Sequence, residues 1–463
     1  MSTQIVVTES LVLTNTRAPA LPVAPVEYNR QYQDQLNNIL RLYFNTLDNF
    51  IAQLMANSST LPISIGGTNV DAFGRLRVSN PYTLFDSQNR YASDNQFNIV
   101  TTGTGTTTYL PNEAAVKMEV TSGGVGSVIR QSYRSFPYQP GKGLLVLATF
   151  VMDGSANTNL TQRVGYFNDQ NGVFFQRVDG TYSFVLRSYI TGSASDARTV
   201  TQANWNGDKL DGTGASGLTL DASKAQILWM DFEWLGVGSV RCGFVINGEY
   251  IVCHTFQNAN EITSVYMTTA ILPMRYEITS TVAVAAYMKA ICCSVVSEGG
   301  YQADSIDHVA RRTTSFTNID TAATFYPIVS IRLASGRLGS VVLPSRVQFL
   351  PLTSQNYEVA LLKNPTLTGA TWAATVPTDS NVEYDVAATA ISNVGTIAQT
   401  DYVTSTGSGG TAITSLPTGY NWDLQLGASL AGVSDIYTLA VRTVSGATKG
   451  DGVGSISFYD LTQ

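Results

Sequence analysis

The stretch Asp221–Phe256, DASKAQILWMDFEWLGVGSVRCGFVINGEYIVCHTF, decides the fold. Between Ile227 and Trp234 the chain alternates two ways: Leu228, Met230, Phe232 and Trp234 face one side, and Ile227, Trp229, Asp231 and Glu233 the other. Ser239–Ile246 and Glu249–Phe256 then flank Asn247-Gly248, the strongest two-residue hairpin signal, because both turn positions need positive φ. This turn predicts a register in which Ile246 faces Glu249, Phe244 faces Ile251 and Cys242 faces Cys253. Three adjacent strands with one apolar face need a second sheet to cover it. The sequence therefore predicts an all-β fold built from sandwiches.

Composition narrows the setting. Of 463 residues, 44% are hydrophobic and only 13% charged, where soluble domains average about 25% charged. Surfaces kept soluble by Thr, Ser, Asn and Gln suit a chain packed among copies of itself. The net charge of −7 leaves no basic footprint for nucleic acid or acidic lipid. The start, MSTQIVVTESLVL, lacks a basic segment leading into a long apolar core, so no signal peptide is expected. No window nears ~18 uninterrupted apolar residues, so no membrane insertion is expected either. Cys242 and Cys253 fall at a hydrogen-bonded hairpin pair, where the Cβ vectors suit bridging less well. Cys292 and Cys293 point to opposite faces of a strand. These are the free thiols of a protein made in a reducing compartment.

Read in order, residues 1–27 form an extended anchoring arm, punctuated by Pro22 and Pro25. Residues 28–57 carry the one long helical signal: Tyr32, Leu36, Ile39, Tyr43, Leu47, Phe50 and Leu54 recur at three- and four-residue steps. Leu40, Leu42, Phe44 and Ile51 widen the stripe beyond a two-chain seam, which favours a homo-oligomer of three or more copies, most simply a trimer. The alternative is a helix laid across its own β-domain. Residues 58–113 read as linker and first strands, with TTGTGTTTYLPN as a polar loop or an edge strand. Strands at sandwich-like spacing fill residues 114–300, the signature of a jelly-roll or concanavalin-like sandwich. Within it, Asp179-Gly180 joins a second hairpin in which Val178 faces Thr181, and Thr201–Thr219 is a Gly- and Asp-rich loop. Gly299-Gly300 marks a boundary, and residues 301–463 form a C-terminal β-sandwich. No fixed-period repeat is present.

Several blocks taken together resemble one family. DAFGRLRVSNPYTLFDSQNRY, GYFNDQNGVFFQRVDG, the run from Asp208 to Tyr250 and LPMRYEI are similar to a family of tailed-phage virion proteins. That family is common in phages of marine bacteria and cyanobacteria and is described as structural or tail-fibre-like. The matching blocks span roughly Val70 to Thr279. The resemblance implies a virion component assembled in a bacterial cytoplasm, with itself and other virion proteins as partners. The expected role is a tail fibre, appendage or baseplate-associated protein; the alternatives are a head decoration or vertex protein, or a lectin-like module that binds host surface glycan.

Chemistry is sparse. Asp231 and Glu233 lie at i and i+2 on one strand face, ~6.5–7 Å apart at Cβ, beside Trp229 as a sugar-stacking platform. These three are the candidate glycan-binding residues. A glycoside hydrolase is the weakest reading, because MDFEW lacks the Glu-x-Asp-x-x-Glu run typical of concanavalin-type hydrolases. Asp208 and Asp211 sit in a loose calcium-like loop without dedicated spacing, so aspartates capping their own turn are expected. Asp-Gln-Asn at 169–171 poses the same choice. His254 and His308 lack metal-ligand partners at recognisable spacing, and the cysteines lack C-x-x-C spacing. The glycine runs open no helix after a strand and form no phosphate loop. Arg75, Arg77, Arg311 and Arg312 read as interface or surface charges; Trp205, Trp372 and Trp422 could bind glycans if exposed, but single tryptophans are more often partly buried at a sandwich edge or an interface. No catalytic residue, metal site or cofactor is assigned.

Overall fold

The computed structural model describes residues 27, 30–59, 80–153, 158–302, 305, 307–374, 380–405, 412–414, 422–444 and 449–462. They belong to two compact units, Met1–Val78 and Ser79–Gln463. In the first, helix α1 spans Arg30–Ser59, a run without Gly or Pro, and is ~45 Å long at 1.5 Å per residue. Tyr32, Leu36, Ile39, Tyr43 and Leu47 are partly exposed on it, and Leu42 and Phe44 are 57% and 55% exposed. The side chains of Phe50 and Leu54, and the arm before Glu27, lie outside the described residues.

The second unit is nearly all strand, and every strand pair in it is antiparallel. Its first fifteen strands are β1 (Tyr82–Gln88), β2 (Phe97–Gly103), β3 (Thr106–Leu110), β4 (Ala115–Val120), β5 (Gly126–Ser132), β6 (Leu144–Met152), β7 (Leu160–Phe167), β8 (Gly172–Val178), β9 (Thr181–Ser188), β10 (Ser195–Thr201), β11 (Gln226–Phe232), β12 (Val240–Ile246), β13 (Glu249–Phe256), β14 (Met274–Ser280) and β15 (Ala286–Ser297). They form two sheets. One runs β13-β12-β11-β6-β15-β4-β3 with β1 also on β15; the other runs β10-β9-β8-β7-β14-β5-β2. β6 shows why the sheets stack: its residues alternate buried and half-buried along their whole length, so one face of LLVLATFVM is apolar and covered. The Phe175 ring from one sheet meets Phe150 and Phe244 from the other, at centroid distances of 5.8 and 5.2 Å. These rings sit in a single core drawn from both sheets. Residues 80–113 are thus part of the sandwich, and the run TTGTGTTTYLPN supplies the end of edge strand β2 and the whole of edge strand β3.

The hairpin around Asn247-Gly248 starts in the expected register, with Ile246 opposite Glu249 and Phe244 opposite Ile251. A β-bulge between Cys242 and Gly243 then shifts it, so Cys242 faces His254 and not Cys253. A Cβ on Gly243 would lie 1.8 Å from the Ile251 carbonyl oxygen, so only glycine lets the strands approach this closely. Val178 faces Thr181 across the second hairpin. The four cysteines are free thiols, with Cys292 exposed and the others buried. Burial pushes Cys253 and Cys293 up to about 12.

A second sandwich follows, made of β16 (Asp307–Ile319), β17 (Tyr326–Leu333), β18 (Val342–Pro351), β19 (Asn356–Lys363), β20 (Thr366–Thr368), β21 (Ala373–Ala374), β22 (Val382–Asp385), β23 (Ala390–Asn393), β24 (Thr396–Thr404), β25 (Ala412–Thr414), β26 (Ile436–Thr443) and β27 (Gly450–Asp460). One sheet runs β16-β27-β18-β25, another β21-β22-β17-β26-β19-β24, with β20-β23 apart. They enclose a core of their own. The chain passes through Gly299-Gly300 without leaving the unit, and Val341, Leu343 and Trp422 join the first sandwich's core. Across this seam Ala428 N donates to Tyr133 O at 2.9 Å and Gln425 Nε2 to Ser135 O at 2.7 Å.

Candidate functional site

The end of β11 carries Asp231 and Glu233 into a cleft of about 490 Å³ at one end of the eight-stranded sheet. Lys142, Ser239, Arg241 and Glu298 complete its polar lining. Register explains much of this gathering, since Asp231 lies opposite Arg241 on β12 and opposite Leu145 on β6. The Arg241 guanidinium forms an ion pair with the Asp231 carboxylate, and the Ser239 hydroxyl donates to Glu233 Oε1 at 3.3 Å. Leu235 and Gly236, both at positive φ, turn the chain back after Glu233.

Glu298 arrives at the end of β15, its N–H donating to Gly143 O at 2.9 Å. A Cβ on Gly143 would lie 2.8 Å from Glu298 Oε2 and 3.7 Å from Asp231 Oδ1, so the glycine makes room for both carboxyls. Burial pushes the Glu298 carboxyl up from the ordinary range; Asp231, which shares a hydrogen bond with it, raises it further against the pull of Arg241. Carboxyls in hydrogen-bond contact lack the ~5–5.5 Å gap kept by a retaining glycosidase. The cleft instead presents carboxylate acceptors beside guanidinium and ammonium donors, a set that matches the hydroxyl pairs of a sugar.

Trp229 is corrected by the structure: it is 3% exposed and offers no ring face to a ligand. Tyr250 packs edge-on against it at 5.5 Å, Arg241 lies over it, and its indole N–H donates to Ile251 O at 3.3 Å. The alternation was right about its side of the sheet; neighbours from β12 and β13 cover it. Trp205 and Trp422 are also buried, and Trp372 lies under the Arg332 guanidinium at 4.2 Å.

The other residues singled out from sequence have structural employment. Asp208 accepts from Leu210 N and Ser216 N at 2.9 and 2.7 Å, and Asp211 from Thr213 N and Oγ1 at 2.9 and 2.6 Å, so both cap their own loop. At 168–171, Asn168 Oδ1 takes the N–H groups of Gln170 and Asn171, and Asp169 pairs with Arg275 at 2.7 Å. His254 is buried, accepts from Asn206 N at 3.3 Å, and is held neutral by burial with Arg198 adding, its pKa down to about 4. His308 stacks on Phe458 at 5.6 Å. Arg312 donates to the Val386 and Ile328 carbonyls, whereas Arg75 and Arg77 lie outside the described residues. No group of three or more potential metal ligands occurs among the described residues.

Sequence reasoning missed Lys142, Arg241 and Glu298. The Asn247-Gly248 turn sets β12 against β13 only, and the pairing of Arg241 with Asp231 is set by the 233–239 connection, which carries no register signal of its own. Nothing local marks Lys142 or Glu298.

No protein-family model and no curated protein matches this chain. Among solved structures, the chain is similar to the carbohydrate recognition domain of Emp47p, with 10% identity and a TM-score of 0.30, covering 50% of this chain and 99% of that one. Peanut lectin with a nine-residue peptide gives 8% identity and 0.26, covering 47% and 98%. The legume lectin-like domain from Entamoeba histolytica gives 11% and 0.27, covering 43% and 89%. Likenesses of this strength identify no ligand and no activity.

Proposed function

We propose that this chain is a structural component of a tailed-phage particle that also binds glycan: a lectin-like, jelly-roll or concanavalin-like β module gathered into homo-oligomers by α1. The glycan reading is carried by the end cleft, where Asp231, Glu233 and Glu298 stand with Arg241 and Lys142 around space of sugar-binding size. Retention of purified full-length protein on a glycan array, abolished by Asp231→Asn with Glu233→Gln, is the expected result. An array that retains nothing refutes it.

The assembly reading has its own observation. A helix that leaves Leu42 and Phe44 more than half exposed, with an apolar stripe beside them, carries surface that copies of itself would cover. The particle setting rests on the resemblance of the blocks between Val70 and Thr279. Cryo-electron microscopy of whole virions would assign the density to tail, baseplate, collar or head; particles lacking this chain sink the setting.

A further inference from the structure

A second cleft, of about 550 Å³, opens along the seam between the two sandwiches. Asn95, Tyr133 and Arg134 line it from the first, and Lys363, Asn364 and Asp435 from the second. Tyr133, Arg134, Lys363, Asn364 and Asp435 are fixed from behind. Asn98 Nδ2 donates to Tyr133 Oη at 3.4 Å, while Asn98 Oδ1 accepts Leu430 N at 2.9 Å. Asn364 donates to Asp435 Oδ1 at 2.7 Å and accepts Ile436 N at 2.8 Å. Lys363 Nζ lies 3.2 Å from Asp435 Oδ2. The buried Arg134 guanidinium donates to the Trp422 carbonyl and the Gln96 carboxamide oxygen, both neutral.

Charge decides what this cleft accepts. Arg134 and Lys363 oppose Asp435 and Asp423, which also lines the cleft, so the formal charges cancel and no net field favours an anion or a cation. Amides, a phenol, a hydroxyl and charged groups make up the larger part of the lining, and an apolar ligand would leave them without hydrogen-bond partners. Hydroxyl groups both donate and accept, so a neutral polyol satisfies such a mixed set. Prior fixing of the side chains lowers the ordering cost of binding. The geometry points to the seam cleft as a seat for a neutral saccharide, additional to the end cleft; this rests on the glycan-binding reading above.

The test is calorimetry of the full chain with cellobiose, lactose and N,N′-diacetylchitobiose, with digalacturonate as the charged counterpart, alongside the glycan array. At least one neutral sugar binds, and digalacturonate binds more weakly. Asn95→Ala and Tyr133→Phe, which remove single polar groups at the cleft wall, each weaken that sugar about tenfold, as loss of one hydrogen bond would. Asn364→Ala weakens it more, and an unchanged melting temperature in Asn95→Ala separates lost contact from lost fold. If both mild variants bind as wild type while Asp231→Asn with Glu233→Gln abolishes binding, the seam inference falls and glycan binding stands. Tighter binding of digalacturonate overturns the neutral-ligand assignment. An empty array with no calorimetric signal overturns both readings.

Discussion

Aspartate at both Ile39 and Tyr43 should dissolve the proposed oligomer. The two residues lie one turn apart on the α1 stripe and are partly exposed in the single chain. Fully burying an aliphatic or aromatic side chain stabilises by ~1.5–3 kcal/mol; mostly covered already, each has at most about a third of that left to gain on association. Losing both removes at most about 1–2 kcal/mol per chain, and a carboxylate forced into the same interface costs several kcal/mol more. Since each ~1.4 kcal/mol is tenfold, the association constant per chain falls by at least about a hundredfold. The assay is light scattering on purified full-length protein at micromolar concentration. Wild type should run as an oligomer, most simply a trimer, and the double variant as a monomer. Arg41→Glu, which makes the same change of charge on the opposite face, should leave the mass unchanged. A monomeric wild type, or a double variant of undiminished mass, would refute the argument.

Three further outcomes are expected. Tyr166 is fully buried, and its hydroxyl accepts Leu272 N at 3.1 Å while lying 2.9 Å from Ala270 O and 3.0 Å from Phe136 O; Tyr166→Phe should cost ~1–3 kcal/mol per group left without a partner, and a loss under ~0.5 kcal/mol in urea unfolding would contradict this. Glu298→Gln should match wild type in acid, where folded and unfolded chains both hold the Glu298 proton. As pH rises the unfolded chain loses that proton first, because burial and Asp231 raise only the folded value, so wild type should lose stability relative to the variant; parallel melting curves from acid to neutral pH would rule this out. Trp229→Phe should leave glycan retention intact, since the ring meets no solvent, and a folded variant that loses retention would restore the stacking role.

What the sequence made legible was local. The alternation of Leu228, Met230 and Phe232, and the Asn247-Gly248 turn, report period and φ preference within a few residues, and the strands they mark are the strands that form. The bulge after Cys242 was not legible, because it depends on how closely Gly243 approaches Ile251 on the neighbouring strand. Trp229 sits on the side its alternation gives it, but its burial is set by Tyr250 and Arg241, which reach it through pairing. Half of the end cleft could be anticipated, because Asp231 and Glu233 share one strand end. Glu298 joins them through the antiparallel pairing of β15 with β6, a long-range partnership that leaves no mark near either residue.

The Val341, Leu343 and Trp422 side chains that plug the first sandwich tie the fates of the two halves together. A fragment cut after Ser297 would keep fifteen strands and still leak water into its interior where three stoppers had been. The first sandwich is therefore no detachable cassette, and heating the intact chain should melt both halves in one step.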